Sequence, residues 1–245
     1  MEFLYGIHSV YEALKAGRRN FKEVLVKKTG TSHRLEKVLE LAASKNVPIR
    51  YANVSDIATV AGTQFHQGIC LETGFYPLTP LRDLLQPEKD VFPSFFLFLD
   101  SIVDPNNLGA ILRTALCAGV DGVIISKNRS AGPSPSVSRV SAGALEHIRL
   151  ARVTNMTNTI KTFKKKGFWI FGADADAGTS IFSTDCTGTV VLVIGGEGEG
   201  MRFLIKKNCD YLISIPMKGK IESLNATAAG AVILYEALRQ RALIS

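Results

Sequence analysis

This chain of 245 residues has no zinc spacing, no disulfide framework and no hydrolase signature. Its four cysteines, Cys70, Cys117, Cys186 and Cys209, are 47, 69 and 23 residues apart, so no CxxC pair exists. They read as free thiols of a reducing compartment. The four histidines, at 8, 33, 66 and 147, do not cluster, no HExxH occurs, and no metal is expected. A GxSxG elbow is missing. So are the lysine and Ser/Thr of a P-loop and a GxGxxG opening to the first βα unit. Charged or polar residues break every apolar run before it reaches membrane-spanning length, and the start MEFLYGIHSVYEALKAGRR lacks a leader pattern. No membrane partner is expected, and the expected compartment is cytoplasmic. Disorder and fibrous repeats are excluded as well, because 46% of the residues are hydrophobic and the 21 Gly and 9 Pro follow no period.

What the chain does have is a basic excess, 29 Lys and Arg against 22 Asp and Glu, a formal net charge of +7. Residues 1–75 carry a net +3, residues 76–92 a net −1 and residues 93–245 a net +5. Two basic parts fit a nucleic-acid partner touched by both, since Lys and Arg make the phosphate contacts. They fit a solvated basic protein equally well.

Residues 1–75 read as a small α/β module. It holds a helix over 9–16, a strand over 21–28, and a helix whose Leu35, Val38, Leu39 and Ala42 keep helical spacing. A strand over 47–51, a helix over 54–60 and a strand over 67–72 complete it. Prolines 77, 80 and 87 interrupt 76–92 and Pro93 follows it, so this segment reads as a linker with one helical turn around Leu81, Leu84 and Leu85. From 93 to 245, apolar strands such as FFLFLD, GVIIS, IRLARVT, FWIFGAD and VVLVIGGE alternate with helices, SAGALEH among them. Trp169, inside FWIFG, reads as a core residue. This rhythm predicts an α/β fold with a mostly parallel sheet covered on both faces. Ligands bind such sheets beyond the carboxyl ends of the strands.

Three unusual segments fall at those ends. In SIVDPNNLGAILRTA, Gly109 and Arg113 share a helix face, while Asn107 lies about 240° from Arg113 and reads as a cap or loop brace. Arg113 by itself fits a surface charge as readily as a functional group. In VLVIGGEGEGM, four glycines flank Glu197 and Glu199. Carboxylates repel a polyphosphate, so this loop suits a neutral or partly cationic ligand such as a nucleoside. In ISIPMKGKIESLNATAAGAVILYEALRQR, Ser223 or Asn225 can bond the first amides of a helix. That helix is apolar nearly all round from Leu224 to Tyr235, which predicts a homodimer. His8 and His66 read as serving local structure or RNA contact, and Lys164–Lys166 as a solvated helix end.

Together these segments resemble motifs one, two and three of the SpoU/TrmH family, the RNA ribose 2′-O-methyltransferases of the SPOUT superfamily. LYGIHSVYEALKAG and HQGICLE resemble the small ribosomal-protein-like (L30e-like) domain that precedes the catalytic domain in its 23S rRNA guanosine-methylating members. The resemblance implies an RNA substrate-binding domain over 1–75, a linker over 76–92 and a SpoU-type methyltransferase domain over 93–245, with a deep trefoil knot in its C-terminal section. It also implies S-adenosyl-L-methionine as cofactor and methylation of a guanosine 2′-hydroxyl in the peptidyl-transferase region of 23S rRNA or a ribosomal precursor. Methylation of tRNA or of another rRNA nucleotide, or an RNA-binding assembly factor without catalysis, are the alternatives. DNA is not an expected partner.

Carried over by motif, the catalytic residues are Asn107, Arg113, Glu197, Ser223 and Asn225. Those around the cofactor are Gly195, Gly196, Glu197, Gly198, Ile215, Met217, Ser223, Leu224 and Asn225. Gly196 stands where the family often has alanine, and Arg139 where this subfamily often has lysine. A guanidinium is too basic to serve readily as a proton acceptor, so Arg113 is expected to stabilise the forming alkoxide or hold a phosphate.

Overall fold

The computed structural model describes residues 1–30, 32–86, 93–220 and 223–243. The end of the expected linker, 87–92, lies outside the described residues. Two compact units emerge, one made of Met1–Pro77 with Pro133–His147, the other of Leu78–Gly132 with Ile148–Ser245.

The smaller unit begins with β1 (Glu2–Tyr5), α1 (Ile7–Ala16), β2 (Phe21–Lys27), α2 (His33–Ser44), β3 (Ile49–Ala52), α3 (Val54–Ala61) and β4 (Ile69–Thr73). Its sheet runs β1-β4-β2-β3, with β4 antiparallel to both neighbours and β3 parallel to β2. α1 stops where Gly17 takes a left-handed conformation, and Ser32 caps α2 by accepting from the Leu35 amide. Leu4, Val10, Leu14, Val24, Val38 and Leu71 share one buried core between sheet and helices. β1 has no counterpart in the sequence reading, since four residues are too few for a period.

The larger unit opens with α4 (Leu81–Leu84), β5 (Phe95–Asp100), α5 (Pro105–Cys117) and β6 (Gly122–Ser126). The chain then returns to the smaller unit. α6 (Pro135–Val140) and a 3-10 turn at Ala144–Glu146 pack against its first residues, where the sequence suggested a helix in SAGALEH. The anchor is a buried ion pair. Arg19 donates from Nε and Nη2 to the Glu146 carboxylate at 2.7 and 2.9 Å, and from Nη1 to Glu2 at 2.5 Å. Back in the larger unit follow β7 (Leu150–Val153), α7 (Met156–Lys165), β8 (Trp169–Ala173), β9 (Val190–Gly195), α8 (Phe203–Asn208), β10 (Tyr211–Ile213) and α9 (Ala226–Ala242).

The larger sheet runs β10-β8-β9-β5-β6-β7, and every neighbouring pair is parallel. Its central strands are buried on both faces, as the near-continuous apolar runs require. Phe163 of α7 meets Phe96 and Phe98 of β5 edge-on, at 5.2 and 4.9 Å between ring centres. α9 packs on α5 and β9. Trp169 is not a core residue: it starts β8 at the rim of the sheet and is 53% exposed.

Candidate active site

A cavity of about 310 Å³ opens at the carboxyl ends of β8, β9 and β10. Gly195, Gly196, Glu197, Gly198, Ile215, Met217, Ser223 and Leu224 all line it, and so do Ala226, Ala229 and Ile233 of α9. The second and third sequence motifs therefore form one wall. Asn225, between Leu224 and Ala226, is the N-cap of α9.

Glu197 ties the three motifs together. Its Oε1 accepts from the side-chain amide of Asn107 at 3.0 Å and from that of Asn225. Asn225 has no freedom to turn over, because its Oδ1 already accepts the Thr227 backbone amide at 2.8 Å. Of the two roles that its spacing left open, cap or loop brace, Asn107 does not take the cap. Asp104 caps α5 by accepting the Asn106 amide at 3.0 Å, which leaves Asn107 in the first turn, reaching across to Glu197. Arg113 lies further along α5. It is exposed, does not line the cavity, and makes no hydrogen bond or ion pair among the described residues.

The glycines of motif two are needed for close backbone approach. A Cβ on Gly195 would lie 2.2 Å from the backbone of Gly200 and Met201, and one on Gly196 would lie 2.2 Å from the Ser101 carbonyl oxygen. The loop doubles back through a bridge between Gly196 and Gly200 and rests on the end of β5. An alanine at 196 therefore requires the Ser101 backbone to shift in this chain.

Sequence reasoning missed what holds this loop from below. Asp100 is fully buried at the end of β5. It accepts from Arg202 Nε at 2.9 Å, from Arg202 Nη2 at 2.5 Å and from the Arg202 amide at 3.0 Å. Ser126, at the end of β6, adds its hydroxyl at 3.3 Å. A buried carboxylate is tolerated only with such partners. The single Asp closing the apolar run FFLFLD was the available signal.

Asp174, Asp176, Glu197 and Glu199 line the cavity against one cation, Lys206. Lys206 pairs with Asp174, and that hydrogen bond raises its pKa above the ordinary lysine value. An apolar floor, an acidic rim and a glycine cradle fit a nucleoside that carries positive charge, and S-adenosylmethionine is such a group. Phosphate is not favoured here. Among the described residues no group of three His, Cys, Asp or Glu side chains is arranged to hold a metal. No described helix is long and apolar enough to cross a membrane.

Other residues singled out in the sequence do not line this cavity. His66 is buried, accepts the Gly68 amide on Nδ1 at 3.0 Å, and has its pKa lowered by burial, so it serves the turn before β4. His8 is exposed on α1. Lys164 is not simply solvated, since its ammonium pairs with Asp210 at 2.7 Å.

Residues 94–235 match the model of the SpoU rRNA Methylase family, and residues 3–78 match RNA 2′-O ribose methyltransferase substrate binding. The chain is 38% identical over 243 residues to the 23S rRNA (guanosine-2′-O-)-methyltransferase RlmB of Escherichia coli K12, covering 98% of this chain and 99% of that protein. It is 38% identical over 245 residues to RlmB of Pseudomonas putida, covering 98% and 97%. The fold is similar to that of the SpoU methyltransferase AviRb from Streptomyces viridochromogenes in complex with AdoMet. There the TM-score is 0.82 and the identity 24%, with 98% of this chain and 90% of that one covered. An AdoMet-bound rRNA methyltransferase from Sinorhizobium meliloti superposes with a TM-score of 0.80 at 25% identity, covering 97% and 87%.

Proposed function

The chain belongs to the SpoU rRNA methylase family, and from that membership we propose that it methylates the 2′-hydroxyl of a guanosine ribose in 23S rRNA. The observation that carries this reading is the meeting of three motifs at one carboxylate, Glu197, beside a cavity at the carboxyl ends of parallel strands. Near full-length identity to proteins named for that reaction supports the choice of substrate.

S-adenosylmethionine, held by the glycine loop with Ile215, Met217 and Leu224, supplies a methyl group on a sulfonium that is already a good leaving group. The protein's share is then positioning and charge. Glu197 fixes Asn107 and Asn225 at the cavity, and Ser223 lines it beside them. Arg113 stabilises the developing alkoxide or clamps the neighbouring phosphate, since a guanidinium is a poor proton acceptor.

Finer features belong to the same proposal. Arg113, exposed and without a pairing group among the described residues, fits a homodimer in which α5 and α9 meet a second copy and each arginine serves the partner's cavity. The close backbone passage at Gly195 and Gly196 fits a deep trefoil knot in the C-terminal section. The 1–75 module is taken as the RNA substrate-binding domain, ribosomal-protein-like in kind, 76–92 as the linker and 93–245 as the methyltransferase domain. The target is taken to lie in the peptidyl-transferase region, and the compartment to be cytoplasmic.

The test is to map 2′-O-methyl positions in 23S rRNA from cells with and without the protein, alongside mass spectrometry of nucleosides methylated by the purified enzyme. Loss of one methylated guanosine ribose is the expected result. Methylation on a base, or on tRNA alone, overturns the proposal.

A further inference from the structure

At the opposite end of the larger sheet from the methyl-donor cavity lies a second cavity of about 380 Å³. It opens between the first residues of β8, β9 and β10 and the segment 179–188. Amino-terminal ends of parallel strands are not the usual place for ligands, so the composition of this groove needs its own account.

One wall is aromatic. Trp169 and Phe171 point to the same face of β8, and Tyr211 of β10 is the register partner of Phe171. Tyr211 stacks on Phe171 at 5.5 Å and 19°, and meets Trp169 at 5.8 Å and 43°. Trp169 is 53% exposed and Tyr211 51%. The only tryptophan of the chain therefore stands half in water beside a second ring.

The facing wall offers acceptors. The Ser183 and Thr184 hydroxyls both donate to the Ser180 carbonyl, at 3.0 and 2.8 Å, which leaves their oxygen lone pairs for a ligand. Asp185 is kept ionised by Thr187, whose hydroxyl and amide donate to one carboxylate oxygen at 2.6 and 2.9 Å. Arg241 also acts on Asp185, but it donates to the carbonyls of Gly188 and Pro93. No Lys, Arg or His lines the cavity.

Ring faces, hydroxyl lone pairs and a carboxylate all present negative potential. A nucleotide phosphate is repelled by such a surface. A planar cation is attracted by every part of it, because a guanidinium stacks on Trp and Tyr and donates in a fork to carboxylate and hydroxyl oxygens. We propose that this groove is a docking site for an arginine side chain of a basic polypeptide partner. The inference does not depend on the methyl-transfer reading, since it uses none of the residues of that site. Its partner is a protein segment, whereas the methyl-donor cavity serves RNA chemistry.

Because Trp169 is the only tryptophan, its fluorescence reads this groove alone. The full chain is titrated with an acetylated tri-arginine amide, the matching tri-lysine amide and guanosine monophosphate at one ionic strength. A saturable change with the arginine peptide is expected, about tenfold tighter than with lysine, because the ammonium lacks the stacking fork. Asp185→Asn, which keeps an oxygen for the Thr187 amide, is expected to weaken the arginine peptide about tenfold. S-adenosylmethionine binding, read by calorimetry, is expected to be unchanged in that variant. Trp169→Leu, followed by calorimetry of the same peptide, is expected to lose binding and keeps the proposal testable if Asp185→Asn folds poorly. No saturable response, an equal response to lysine, indifference to Asp185→Asn, or a preference for guanosine monophosphate overturns it.

Discussion

Glu197 accepts the side-chain amide of Asn225, so the glycine loop and the first turn of α9 hold one another across 28 residues of chain. The bond has a fixed sense, because the Asn225 carbonyl is committed to the Thr227 amide and only its NH₂ group faces Glu197. Asn107 brings α5 to the same oxygen.

Removing that acceptor strands two amides at once. Glu197→Ala is expected to lower single-turnover methyl transfer by about tenfold to a hundredfold, the worth of charged hydrogen bonds. Glu197→Gln retains an acceptor oxygen and is expected to lose less. Equal rates in all three enzymes would remove Glu197 from the mechanism.

Arg113 gives a test of assembly as well as of chemistry. Arg113→Ala is expected to nearly abolish transfer while leaving S-adenosylmethionine affinity largely intact, since the residue does not line the cavity. Mixing Arg113→Ala and Glu197→Ala chains, after dissociation and reassociation, is expected to restore about a quarter of the wild-type sites, a rate above that of either parent, if each site draws on two subunits. A mixture no faster than the mean of its parts assigns Arg113 to the cavity of its own chain.

The Arg19–Glu146 pair joins α6 and the following 3-10 turn to the first 77 residues. Both side chains are essentially removed from solvent. Arg19→Met strips the Glu146 carboxylate of its cation, leaving the Ser138 hydroxyl at 2.8 Å, and is expected to cost about 3–5 kcal/mol in urea unfolding. The double change Arg19→Met with Glu146→Met is expected to recover much of that loss. A chain beginning at Leu78 keeps Glu146 without Arg19, so it is expected to be less stable than the removal of a self-contained front module would make it.

His66 makes stability depend on pH. Burial lowers its folded pKa, and its Nδ1 must stay unprotonated to accept the Gly68 amide. The unfolded chain therefore takes up a proton that the folded chain refuses as pH falls below about 6.5, the ordinary histidine value. The contribution is fully present above that pH and is lost towards the lower folded pKa, with a slope of at most about 1.4 kcal/mol per pH unit for one proton. Melting curves from pH 8 to 5 are expected to show this slope in the parent chain and a shallower one in His66→Asn, whose side-chain oxygen can take the same amide. Identical slopes would show that His66 does not titrate on unfolding.

Periodicity and composition were enough for the parallel sheet. FFLFLD and VVLVIG are apolar at nearly every position, and only strands covered on both faces call for that. The local chemistry of the three motifs was equally legible, since a glycine run at the end of a strand and an Asn before an Ala-rich stretch have their meaning within a few residues. Long-range pairing lay beyond such signals. Asn107 meets Glu197 across 90 residues, Arg19 meets Glu146 across 127, and Asp100 meets Arg202 across 102. Each of these bonds exists because separate elements pack together, and no local pattern encodes the partner's position. Trp169 shows the same limit from the opposite side. Its apolar neighbours suggested a core residue, but burial is set by where β8 begins within the sheet: Trp169 stands at the rim, and cover begins with Ile170 and Phe171. Sequence alone determined the kinds of element and the chemistry at the strand ends; the tertiary structure decided which distant side chains share a cavity, because that is fixed by packing rather than by spacing along the chain.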